Sequence, residues 1–264
     1  MTLRVTVLGC GGSLGVPMVG NNWGTCDPAN PKNRRRRPAI LVEGPGEEGD
    51  GSGDGTTLLI DTPTDLRAQL IDAGATRLDA VLYTHDHADH VHGMDDLRPM
   101  IWGRGPLPAY ADAATLDTLC RRFGYAVGNV EIDRGLYKPI LQVTPIDGPF
   151  RAGGLDIVPI VQDHGYSESL GFRFGDFAYS TDVVTLSETA MEALAGIRVW
   201  IVDATREDPH PTHAHLDRAL GWIERLKPER AYLTHMNHTM DYDRLMATLP
   251  PGVEPAYDGL VIEM

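Results

Sequence analysis

Thr84-His85-Asp86-His87-Ala88-Asp89-His90 follows directly on the run Asp79 to Tyr83, which is apolar after its first residue. Neither a helix nor a strand needs that composition. Imidazole and carboxylate are ligands suited to Zn, Mn, Fe or Ni, and a strand ending in a loop can splay His85, His87, Asp89 and His90 around one or two cations. A solvated polar turn accounts for one histidine far more easily than for an HxHxDH pattern, so the stretch reads as the first half of a dinuclear metal site.

The Thr-His-x-His-x-Asp-His pattern resembles the signature of the metallo-β-lactamase superfamily. The resemblance implies further His, Asp and His ligands at the ends of later strands. His164 follows the strand-like Leu155 to Gln162, Asp182 follows Phe177 to Ser180, and His235 follows Arg230 to Leu233. Each lies just beyond a short apolar run, where an α/β scaffold displays functional residues.

With 264 residues and 42% hydrophobic content, the chain can bury the core of one large domain or of two packed halves. The resemblance implies a single α/β domain over 1–264, a metallo-β-lactamase-type αβ/βα four-layer sandwich with halves of roughly 1–145 and 146–264. Neither a signal-like N-terminus nor an apolar run of about 18 residues is present, so secretion and membrane spanning are not expected. Cys10, Cys26 and Cys120 are odd in number and form no CxxC pair, which fits a reduced, cytoplasmic setting. A net charge of −14 argues against nonspecific grip on long nucleic acid, which needs a broad basic surface. A homodimer is only the default expectation for a soluble enzyme.

Leu3 to Leu8 reads as a strand leading into Gly9-Cys10-Gly11-Gly12-Ser13-Leu14-Gly15. The third glycine is one place late for a dinucleotide fingerprint, and Pro17, Gly20, Gly24 and Pro28 forbid the helix that should follow. The loop is instead expected to let backbone approach a substrate. Arg34 to Arg37 reads first as a solvated run, yet guanidinium matches phosphate geometry, and Arg34 and Arg35 are the candidate substrate contacts. Gly44 to Gly55 is expected to be a flexible hairpin excursion, and Phe123 to Pro139 a lid or a long connection. Helices are expected from a Thr64 cap to Ala73 with Leu66, Leu70 and Ile71 inward, over Met94 to Met100, and over Asp112 to Arg122 with Leu116, Leu119 and Cys120 inward. Others are expected over Ser187 to Leu194, Leu216 to Leu226 and Tyr242 to Leu249.

As the resemblance implies, His85, His87 and His164 hold one metal, Asp89, His90 and His235 the other, and Asp182 bridges two Mn2+ or Zn2+ ions. Metals about 3.5–4 Å apart acidify bridging water and stabilise charge on the reacting centre, so hydrolysis is the default reaction. Asp89 thereby counts among the catalytic groups. A poor alkoxide leaving group calls for a proton donor, and His213 in His-Pro-Thr-His-Ala-His is the candidate, with His210 and His215 as competitors. Its position resembles the extra histidine of superfamily phosphodiesterases. The likeness extends to the cyclic phosphate phosphodiesterases of phosphonate degradation through Leu8 to Pro17, Asn33, the Tyr83 box, His213, Leu233 and Tyr257. It implies a small phosphorylated substrate such as 5-phosphoribosyl 1,2-cyclic phosphate. Members of that group can carry a structural zinc, but Cys26 and His238 alone cannot close a tetrahedral site, so none is expected and His238 becomes either a substrate-phosphate contact or a surface residue. The rivals are a tRNA 3′-processing-type endonuclease, a thioester or lactone hydrolase, and a non-catalytic metal-binding accessory protein.

Overall fold

The computed structural model describes residues 2–46, 55–127 and 139–264. Most of the expected Gly44 to Gly55 excursion and the centre of the Phe123 to Pro139 segment lie outside the described residues. The strands, in chain order, are β1 (Arg4–Gly9), β2 (Ala39–Gly44), β3 (Thr56–Ile60), β4 (Ala80–Leu82), β5 (Leu107–Ala111), β6 (Leu141–Pro145) and β7 (Phe150–Ala152). They continue with β8 (Leu155–Asp163), β9 (Glu168–Phe174), β10 (Phe177–Ser180), β11 (Val199–Asp203), β12 (Arg230–Thr234), β13 (Val253–Pro255) and β14 (Val261–Glu263). The α-helices are α1 (Leu66–Asp72), α2 (Ala88–Val91), α3 (Ala113–Arg122), α4 (Glu188–Leu194), α5 (Leu216–Leu226) and α6 (Tyr242–Thr248).

Two seven-stranded mixed sheets form, in the orders β14-β1-β2-β3-β4-β5-β6 and β13-β12-β11-β10-β9-β8-β7. Strands β3 to β6 run parallel, as do β10 to β13. Parallel strands covered on both faces read as unbroken apolar runs rather than alternating ones. Val-Trp-Ile-Val-Asp in β11 shows this, with every residue buried. Parallel register also aligns carboxyl ends. Ile60 pairs with Leu82, which brings Asp61 beside Tyr83-Thr84, and Ser180 with Val202 and Asp203 with Thr234 bring together the residues that follow β10, β11 and β12.

By contacts the chain divides into two compact units: Met1–Thr6, Ala39–Asp156 and Val261–Met264 in one, Val7–Pro38 and Ile157–Leu260 in the other. Neither is a continuous half. The glycine loop belongs with the C-terminal residues because Gly12 N–H donates to Met236 O and Gly259 N–H to Val7 O. Asp258, in the expected Tyr-Asp-Gly-Leu motif, fastens the same region by accepting from the N–H groups of Cys10 and Arg36 at 3.2 and 2.8 Å.

Several helix details differ from expectation. Helix α1 is preceded by Asp65 rather than Thr64, and its inner face is Leu66, Gln69 and Leu70, leaving Ile71 61% exposed. Cys120 is exposed because α3 turns Thr115, Leu116, Thr118 and Leu119 inward. Met94–Ile101 winds as a 3-10 helix; Pro99 within it has no N–H to give an α-helical ladder. Helix α4 begins one residue after the expected Ser187, whose side chain caps it by accepting from Ala190 N, whereas α6 begins at the expected Tyr242, capped by Asp241 accepting from Arg244 N. No helix among the described residues is long and apolar enough to cross a membrane.

Burial pushes the Asp258 carboxyl up to about 7 against the two N–H bonds and the Arg36 charge. The unfolded value is about 4, so between pH 4 and 7 the folded state binds the extra proton and stability falls as pH rises, levelling off above the folded value. Asp258→Asn should flatten that part of the pH–stability curve in denaturant melts. An unchanged slope would assign it to other groups.

Candidate metal centre

In the first unit, the carboxyl ends of β3 and β4 and the start of α2 gather a histidine cluster. Asp61, fully buried and left-handed at φ 66°, takes Thr84 N–H at 2.8 Å and Thr84 Oγ1 at 2.8 Å, and its Oδ2 lies 2.7 Å from His90 Nδ1. Because the Thr84 hydroxyl proton goes to Asp61, its oxygen accepts from His85 Nδ1 at 3.0 Å. Both rings thus carry their proton on Nδ1 and turn Nε2 into the ligand atom. The His85 ring lies 4.5 Å from that of His87 and 4.3 Å from that of His90, and His90 Nε2 is 3.5 Å from Asp89 Oδ2. Burial raises the Asp61 pKa, while His90 and Thr84 oppose the rise.

The second unit assembles His164, Asp182, His213 and His235. His164 Nδ1–H donates to Thr212 O at 2.7 Å, again presenting Nε2. Asp182 Oδ1 lies 3.4 Å from His235 Nε2 and 3.7 Å from His164 Nε2. Asp182 and His235 both adopt left-handed backbone, φ 54° and 57°, which a non-glycine residue keeps only where its surroundings hold it. Thr181 Oγ1 donates to the other Asp182 oxygen at 2.6 Å.

These separations provide a test of fit for a metal. Ligand atoms about 2.0–2.2 Å from a tetrahedral cation stand roughly 3.3–3.6 Å apart. The Asp182–His235 and Asp89–His90 spacings fall in that range and Asp182–His164 lies just above it, so within each unit the donor set suits a borderline divalent ion.

His213 stands apart. Its Nδ1 donates to Asp203 Oδ2 at 2.9 Å, its ring stacks on His235 with centroids 4.5 Å apart, and it is 8% exposed. Asp203, fully buried at the end of β11, also accepts from Val183 N–H at 3.0 Å. Asp61 and Asp203 escaped the sequence reading, although each ends an apolar strand as Asp182 does. His210 has its pKa lowered by burial and by His213, and His215 caps α5 by backbone position only. His210, His213 and His238 line a pocket of about 220 Å³ with Gly12, Leu14 and Met18. The Arg206 guanidinium beside it is committed to the carbonyls of Asp208 and Pro209.

The arginine run is not a uniform solvated patch. Arg34 is exposed over the Trp23 ring at 5.1 Å, but Arg35 is only 1% exposed, its guanidinium against Asn33, Cys26 and Asn237. That position removes Arg35 from the expected substrate contacts. The glycine loop also has a packing reason: a Cβ on Gly11 would meet the carbonyls of Arg35 and Arg36 at 2.9 Å.

A model of the β-lactamase superfamily domain matches residues 56–236. The chain belongs to the β-lactamase superfamily. Its fold is that superfamily's α/β fold. The crystal structure of a diphosphatase from the PhnP family is 34% identical, with a TM-score of 0.88 over all of this chain and 98% of that one. An octanoyltransferase of Porphyromonas gingivalis is 32% identical over 260 residues, 98% of this chain, but this chain spans only 51% of that protein. The anti-Pycsar protein Apyc1 of Paenibacillus harenae is 28% identical over 197 residues, 71% of this chain and 81% of that protein.

Asp61→Asn should weaken metal binding by about 10- to 100-fold, since outer carboxylates fix the orientation of metal-binding imidazoles. Asp203→Asn should leave metal content unchanged while activity drops. Elemental analysis of each purified variant checks the pair, and an inverted pattern would contradict the two roles.

Proposed function

We propose that the chain is a phosphodiesterase acting on a small phosphorylated substrate, with His85, His87, Asp89, His90, His164, Asp182 and His235 sharing two divalent ions, Mn2+ or Zn2+. The two units then act as one catalytic domain over 1–264. When bound, such ions acidify water to a nucleophile and neutralise charge on the phosphoryl oxygens.

The chain's own residues supply the rest. Water attacks phosphorus, the bond from phosphorus to the leaving oxygen breaks, and His213 delivers a proton from Nε2 to that oxygen. Asp203 holds the opposite nitrogen, which fixes the ring and stabilises the imidazolium that donates. This buried His213–Asp203 pair is the observation that carries the reading, because an alkoxide leaving group needs an acid whereas a thiolate leaving group does not. His238 and Gly12 on the wall of the 220 Å³ pocket, with Arg34 on the same unit, are the proposed contacts for the rest of the substrate. A cyclic diester such as 5-phosphoribosyl 1,2-cyclic phosphate has the size and the strained ester this arrangement suits. The three cysteines are free thiols, which supports a cytoplasmic setting.

A second reading, cleavage of a phosphoanhydride, is favoured by the name of the 34% identical PhnP-family diphosphatase. An anhydride leaves as a phosphate, which needs no proton, so the two differ in their demand on His213.

Manganese-loaded protein should hydrolyse bis(p-nitrophenyl) phosphate and ribose cyclic phosphates, and His213→Ala should slow alkoxide-leaving substrates by about 100-fold or more. Inactivity towards every diester alongside turnover of a diphosphate would replace the first reading by the second. His213→Ala with full activity on alkyl diesters would remove the general-acid role.

A further inference from the structure

Arg35 is a charged side chain buried among neutral partners. Its Nη1 reaches Asn237 O at 3.4 Å and Cys26 Sγ at 3.9 Å, its Nη2 reaches Asn33 Oδ1 at 3.3 Å, and its Nε has no hydrogen-bond partner. These contacts are long, and burying a guanidinium without a directly paired carboxylate is costly. The nearest hydrogen-bonded carboxylate, Asp241, is reached through Asn33, whose Nδ2 donates to Asp241 Oδ2 at 2.7 Å, while the Arg35 charge helps hold the Asp241 carboxyl down from a distance. Such a group needs a structural return, and the segment it grips shows where that lies.

Asn237 stands two residues beyond His235, in the loop that carries the left-handed His235 backbone. That loop is held at Met236, whose N–H donates to Cys10 O and whose carbonyl accepts from Gly12 N–H, and at Asn237, whose N–H donates to Thr205 O. Those holds are all main chain to main chain. Arg35 adds a side-chain hold at the Asn237 carbonyl. Its own backbone is independently fixed by two bonds with Val16, each 2.8 Å, so shortening the side chain leaves the strand-like pairing in place.

We propose that Arg35 is a positioning residue: through the Asn237 carbonyl, its buried guanidinium fixes the His235 loop in the geometry that binds metal. The inference rests on the reading of His235 as a metal ligand. Arg34 and Arg35 therefore part company within one run of identical side chains: Arg34 is exposed over the Trp23 ring, whereas Arg35 acts from inside on a ligand loop. Lysine could not replace it, since one ammonium cannot reach Cys26, Asn33 and Asn237 from a single flexible stem.

The test compares zinc dissociation constants, by competition with a chromophoric chelator, for chelator-stripped wild type, Arg35→Ala, Arg35→Lys and Thr25→Val. Thr25 Oγ1 donates to Thr239 O at 3.1 Å and so staples the neighbouring turn without touching Asn237. Both Arg35 variants should weaken the affinity of one zinc by about tenfold or more, with cooperative melts retained, while Thr25→Val binds as wild type does. Millimolar methylguanidinium should recover affinity in Arg35→Ala. If Arg35→Ala does not fold, Arg35→Lys decides. Wild-type affinity in a folded Arg35 variant, equal weakening by Thr25→Val, or no recovery with methylguanidinium in a folded Arg35→Ala would each overturn the proposal. His235→Ala serves as the separate control: unaltered zinc affinity there would mean that the ligand reading itself fails, whatever Arg35 does.

Discussion

A buried carboxylate oxygen placed 3.4 to 3.8 Å from three imidazole nitrogens is the constraint on which the second unit is built. Asp182 Oδ1 is mostly too far from these nitrogens for good hydrogen bonds and too near to be indifferent to them. Burying such a set is expensive unless a cation lies among the donors or protons bridge them. The backbone shows the effort of holding it, since Asp182 and His235 both sit in left-handed conformations beyond the ends of β10 and β12, the parallel strands on either side of β11. The first unit repeats the device at Asp61, also left-handed at the end of its strand, which anchors His90 and Thr84.

The two buried carboxylates missed in the sequence divide the chemistry between them. Asp61 takes Nδ1 of His90, whose Nε2 lies beside Asp89, and Asp203 takes Nδ1 of His213, whose ring stacks on His235. An imidazole hydrogen-bonded to a carboxylate is a better base and, once protonated, a steadier acid. In the proposed reading the same side-chain pair tunes a metal ligand at His90 and a proton donor at His213. Strand register decides which, because it sets which residue follows each strand and which neighbour it meets.

Much of this was legible beforehand, for identifiable reasons. The HxHxDH stretch is chemically so unlike an ordinary helix or strand that it declares itself, and the expected helices over Ser187 to Leu194 and Tyr242 to Leu249 agree to within a residue with α4 and α6. Asp61 and Asp203 stayed hidden because an aspartate after a strand is common, and only the register, a long-range property, shows its partner. The burial of Arg35 is not legible in the sequence, because four like residues in a row carry no periodicity to separate the buried one from its more exposed neighbours. Ile71 and Cys120 were put on inner faces by hydrophobicity, whereas the helices bury Gln69 and Thr118 at those turns. Asp65 rather than Thr64 precedes α1, and its side chain makes no capping hydrogen bond there.

The central claim is that donors scattered from His85 to His235 serve a pair of divalent ions. Titrating chelator-stripped protein with Co2+ while following its ligand-field absorption tests this most directly. The account predicts saturation at two equivalents per chain, with imidazole-rich spectra for both. Saturation at one equivalent, or no absorption change below millimolar metal, would contradict it.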